Sequence, residues 1–217
     1  MQKPLASPVA FVFSRFSAFL RLGDMASRSK GFDFTGAMRL VCADISQRLP
    51  EMSHIDMDRV AVGLCQTRNQ AMYGVFATLT PLRFAGGRVE KQVRGRIHRI
   101  QPLVDPTGRE YFYLLNFYLP RFLNLPLEEK LSTIVHELWH IGPQFDGDLR
   151  RHEGRCYAHG SSQRKYDALM DQLTRKWLAS DPPWHLYEFL ECQFHELAAE
   201  HGGIRGQRWP APKMVPA

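Results

Sequence analysis

The sequence predicts an α+β fold. Three observations carry it. Apolar residues recur at helical spacing over 31–50, β-rich runs occupy 59–119, and helical spacing returns from 126 onward.

Within 31–50, Met38, Val41, Cys42, Ile45 and Leu49 mark one helix face, with Thr35 as a candidate cap. Residues 52–58 are a polar connection. Residues 59–67 (RVAVGLCQT) read as a strand. Residues 71–84 read as a second strand or a bent pair, punctuated by Pro81. Residues 83–99 carry seven basic side chains against Glu90, which fits a solvated loop or edge strand; an acidic-partner surface is the sharper reading. Residues 109–119 (REYFYLLNFYL) read as a largely buried strand, and 120–126 turn the chain. Helices follow over 162–178 (Tyr166, Leu169, Met170, Leu173, Trp177) and 184–201 (Tyr187, Leu190, Phe194, Leu197). Residues 1–30 are expected to be a poorly ordered arm, whether targeting-like or preceding a start at Met25. Residues 31–201 are expected to be the folded domain, and 202–217 a basic, Pro- and Gly-containing tail.

A hydrophobic content of 44% with 23% charged residues is that of a globular protein with a sizeable core. The apolar run at 9–13 is too short and too interrupted to span a membrane. The net charge of +6 permits an acidic partner, including nucleic acid, without requiring one. No two of the four Cys form a CxxC pair, so neither a zinc ribbon nor a redox motif is present, and a reducing cytoplasm is the expected compartment.

The chemistry concentrates at residues 136–140, HELWH. On a helix, positions i and i+4 share one face, so His136 and His140 can aim two imidazoles at one metal ion. Glu137 projects nearby and can hold or deprotonate a water there. The helix is well marked. Leu131, Ile134, Val135 and Leu138 form its apolar stripe. Pro126 suits its first position, Glu128 and Glu129 suit the positive end of its dipole, and Gly142 and Pro143 stop it. Nine His and eleven Glu give only about 0.02 chance occurrences of the pattern.

A catalytic zinc site takes three protein ligands and leaves one position open. The candidates for the third lie downstream: His159 first, then His152 and Glu153, with Asp146 and Asp148 behind them. His159 follows a long loop that can fold back and precedes a helix that would anchor it. Cys156 is a further candidate. Pro143 and Asp146 stand where the metzincin extension needs Gly and His, so that pattern is absent.

HELWH, a loop and then His159-Gly160 leading into an aromatic-bearing helix resemble a zincin of the SprT-like kind. The stretch EKLSTIVHELWHIGPQFDGDLRRHEGRCYAHG also resembles a group of bacterial and phage metallopeptidases. That likeness runs through FDFTGAMRLVCADI, RVAVGLCQTRN and FYLPRF, covering roughly 31–178. Tyr166 lies farther from His159-Gly160 than in SprT-like proteins. The resemblance implies a zincin-like single domain, with an N-terminal helix on a small, mainly antiparallel sheet and the motif helix and C-terminal helices beside it. It implies a Zn2+-dependent peptidase acting on a peptide or protein, with His136, His140 and His159 as ligands and Glu137 as general base. Tyr157, Tyr166, His152 and Arg155 are candidates for oxyanion or supporting roles. Two other readings stay open: a hydrolase of a non-peptide bond, and a zinc-binding module without catalysis. Association with nucleic acid is compatible with either.

Overall fold

The chain folds as a mixed α and β structure in the computed structural model, which describes residues 31–67, 74–151 and 163–217. In chain order these form β1 (Phe32–Asp33), α1 (Phe34–Arg48), β2 (Val60–Gln66), β3 (Ala77–Pro81), β4 (Glu90–Val93), β5 (Arg96–Ile100), β6 (Tyr113–Leu119), α2 (Leu127–Trp139), α3 (Gln163–Ala179), α4 (Phe194–His201), β7 (Ile204–Arg205) and β8 (Met214–Pro216). The expected arm at 1–30 lies outside the described residues.

The central sheet has the order β2-β6-β3. Its middle strand, β6, is the apolar run YLLNFYL, and both of its faces are covered, as such a run requires. Tyr113, Leu115, Phe117 and Leu119 face the main core with Phe34, Met38, Val41, Ile134, Val135 and Trp177. Leu114 faces a smaller cluster with Ala61, Leu82, Leu103 and Tyr111. A mainly antiparallel sheet was expected, but β6 runs parallel to β2 and antiparallel to β3. Alternation of side chains marks a strand without marking its direction; the long excursion through β3, β4 and β5 permits the parallel return.

β3 forms one edge of this sheet. Its flanking residues Phe76 and Leu82 bond to Tyr118 and Phe112 on the β6 side. By the alternation of an antiparallel ladder, Ala77, Leu79 and Pro81 therefore direct their backbone groups outward. Pro81 sits where a missing N–H costs the ladder nothing.

α1 starts two residues earlier than Thr35 would place it. Asp33 is the cap, accepting from the Gly36 N–H at 3.2 Å. The Thr35 hydroxyl instead accepts from the Gln207 N–H at 3.0 Å. α1 packs on β2, and α2 packs against β3 and α3. The Trp177 indole N–H donates to Asp44 at 2.8 Å, tying α3 to α1.

The helix expected over 184–201 is broken. Two short 3-10 turns (Trp184–Leu186, Glu188–Leu190) precede α4, which restarts under a capping box of Gln193 and Glu196. A tertiary contact competes for the backbone there. Lys130, only 1% exposed, donates to the carbonyls of Leu190 (2.7 Å) and Cys192 (2.9 Å). Those carbonyls are thus satisfied without a continuous helix.

Residues 202–217, read from sequence as an aperiodic tail, close the fold. β7 pairs parallel with β1, and β8 extends the β4-β5 hairpin into a three-stranded antiparallel sheet. That hairpin turns at Arg94-Gly95, both with positive φ, and forms the basic stretch as an exposed sheet. Between β7 and β8 the chain covers the outer edge of β2. The Leu64 N–H donates to Gln207 O at 2.9 Å, and the Trp209 indole N–H donates to Val62 O at 3.0 Å. Gly63 leaves room for this: a Cβ there would lie 2.8 Å from Trp209 Cδ1 and collide with Asn116 Oδ1. Gly63→Ala is therefore expected to cost about 1–3 kcal/mol in urea unfolding. An unchanged midpoint would mean that this segment does not dock on β2.

Among the described residues no helix is long and apolar enough to cross a membrane.

Candidate functional site

The last turn of α2 carries the motif. Its apolar stripe, Leu131, Ile134, Val135 and Leu138, is buried in the main core, which fixes the rotation of the helix. His136 and His140 consequently lie together on the face turned toward α3. Their Nε2 atoms are 3.0 Å apart, and their rings meet edge to face.

Glu137 lies one position round the helix, facing β3. It is 8% exposed and pushed up to about 7, chiefly by burial; the Leu79 backbone N–H bonds to the carboxylate and works in the opposite direction. Leu79 is one of the outward-directed positions of β3, so the edge strand itself holds the carboxylate.

α3 brings in Tyr166, which is 4% exposed. Its ring stands edge-on to His136 (centroids 5.1 Å apart) and stacks on His140 (6.2 Å, 24°). Burial, and then the nearby Glu137, push its hydroxyl well above the usual phenol range, against the pull of Arg150.

Arg150 lies in the loop that follows the motif, beside Arg151. It closes the end of α2. Its Nε donates to Trp139 O (2.8 Å), its backbone N–H donates to His140 O (2.7 Å), and its guanidinium lies 3.9 Å from the centroid of the Trp139 ring. Local spacing carries no signal for this, because the contact depends on the loop folding back.

That loop contains FDGD, and its acidic residues serve the turn. The Asp148 carboxylate accepts from the N–H groups of Gly86 and Leu149, both at 2.8 Å, and from Arg151. Asp146 accepts from the Asp148 N–H at 3.0 Å. Tyr113 anchors the turn by donating to Asp148 O and accepting from the Gly147 N–H. The expected ligand His159 and the alternatives His152, Glu153 and Cys156 lie outside the described residues, as do Tyr157 and Arg155. Among the described residues no group of three or more His, Cys, Asp or Glu side chains is disposed to hold a metal.

The pair that is described fits zinc in donor type and spacing. Two imidazole nitrogens at about 2.0–2.1 Å from a tetrahedral ion would stand roughly 3.3 Å apart, close to the 3.0 Å observed. Neutral imidazole is also the donor that zinc favours.

A cleft of about 750 Å³ opens from this point. His136 and Glu137 sit at one end. The start of β3 forms one wall, and α2 and α3 form the others.

No family model matches this chain, and neither a curated protein nor a solved structure matches it.

Proposed function

We propose that the protein is a zinc-dependent metallopeptidase that hydrolyses peptide bonds in an extended chain laid along β3. One observation carries the reading. Two imidazole nitrogens converge beside a buried carboxylate at the head of a cleft whose wall is the open edge of a sheet.

His136 and His140 would hold the metal, with His159 as the expected third ligand. When bound, zinc supplies Lewis acidity and a water nucleophile near neutral pH. Glu137 accepts the proton of the attacking water at a carboxylate oxygen and delivers it to the leaving amine. Its bond from the Leu79 N–H keeps the carboxylate oriented for both transfers. The Tyr166 hydroxyl is the candidate donor to the oxyanion; its ring lies against both imidazoles, and its raised pKa keeps it protonated. The substrate backbone pairs with the outward groups of Ala77 at the start of β3, as peptides add to sheet edges elsewhere.

The reading is tested by metal content. Protein purified without chelator is expected to carry about one zinc per chain, and His136→Ala and His159→Ala much less. A wild-type protein without zinc would end the reading. Zinc retained in full by His159→Ala would move the third ligand to His152, Glu153 or Cys156.

A further inference from the structure

The cleft has a charge asymmetry that the hydrolytic chemistry does not need. Running from His136 back along α2, its lining includes Thr133, then Glu129 and Glu128. The opposite wall on α3 adds Asp167 and Asp171. Among the described lining residues none is Lys or Arg. Glu128, Glu129 and Asp171 form no ion pair with a described cation. The same lining includes Val75 and Phe76 on the β3 side and Met170 on α3, so apolar and acidic groups share the cleft. Such a mixed lining matches a side chain with an aliphatic stem and a cationic head.

The distances set the position. Glu129 is seven residues before His136 on one helix, so its level lies about 10 Å along the axis. An extended peptide advances about 3.3 Å per residue. Glu129 thus stands about three residues from the bond held at His136. On α3, Asp171 lies one turn beyond Asp167, in the same direction away from the His pair, because Tyr166 is the residue beside His136.

We infer that this cleft selects extended peptides carrying Lys or Arg about three residues from the bond attacked, with Glu128, Glu129 and Asp171 as the specificity-determining side chains. The inference rests on the peptidase reading for the place of that bond, while the charge preference itself is a property of binding.

The test is fluorescence anisotropy on the full chain carrying Glu137→Gln, so that peptide is not consumed. Two labelled peptides are compared, identical except for Lys or Glu at that position. The Lys peptide is expected to bind roughly tenfold tighter at low salt, with the ratio shrinking as salt rises. The triple variant Glu128→Gln, Glu129→Gln, Asp171→Asn should bring the ratio near one. The single charge reversal Glu129→Lys, a smaller perturbation of the fold, should favour the Glu peptide. Equal binding of the two peptides, or a preference that survives the charge reversal, would overturn the inference. A clear Lys preference with no hydrolysis by the wild type would sink the peptidase reading and leave this one standing. Hydrolysis without any charge preference would do the reverse.

Discussion

Glu137→Gln is expected to lower kcat/KM for peptide hydrolysis by about 10²–10⁴-fold with zinc content unchanged. The substitution is close to isosteric, and its amide oxygen can still accept from the Leu79 N–H. What it removes is the capacity to take a proton from water and pass it on. Because Glu137 does not need to bind the metal, His136 and His140 should load as before. Hydrolysis of a quenched fluorescent peptide, with zinc measured on the same sample, checks both halves. A zinc-loaded variant with wild-type activity would remove Glu137 from the chemistry. Loss of zinc along with activity would instead make it part of the metal site.

The same carboxylate should make the metal-free protein less stable as pH rises. Burial pushes Glu137 from 4.5 to about 7 in the folded chain. Between those values the folded state holds a proton that the unfolded state has already released. The contribution of Glu137 to stability is therefore full below about pH 4.5, is lost as pH rises to about 7, and is constant above that. The separation corresponds to roughly 3 kcal/mol. In Glu137→Gln this fall should vanish. His54 titrates in the opposite sense, since burial and then Arg150 lower its pKa. That contribution is common to both proteins and cancels in the comparison. Urea midpoints of the chelator-treated proteins across this range are the measurement. Parallel curves for wild type and variant would mean that Glu137 is hydrated rather than buried.

How much of this was legible beforehand follows from the range of the forces involved. α2 was read nearly to the residue, because its stripe and acidic first turn lie within the helix and Gly142 lies just beyond it. The shared face of His136 and His140 came with it, since i, i+4 geometry on a helix needs no tertiary information. α1, β2, β6 and α3 were likewise legible from their own periodicity. Two of the misreadings sit where a distant group competes for the backbone. Lys130 takes the carbonyls near 190 and 192, so the last helix breaks. Thr35 gives up the cap because its hydroxyl bonds to Gln207, 172 residues away in sequence. The segment after 202 has no period of its own, and its order comes from β1, β2 and β5.

The sequence alone therefore determined the helix, the two imidazoles and the carboxylate beside them, because one turn of helix sets their spacing. Only the tertiary structure decided that β3 is an open edge, that its Leu79 N–H holds Glu137, and that Tyr166 and Arg150 enclose the end of the motif. Each of those contacts joins segments far apart in the chain, and the direction in which two strands pair is not written in either strand.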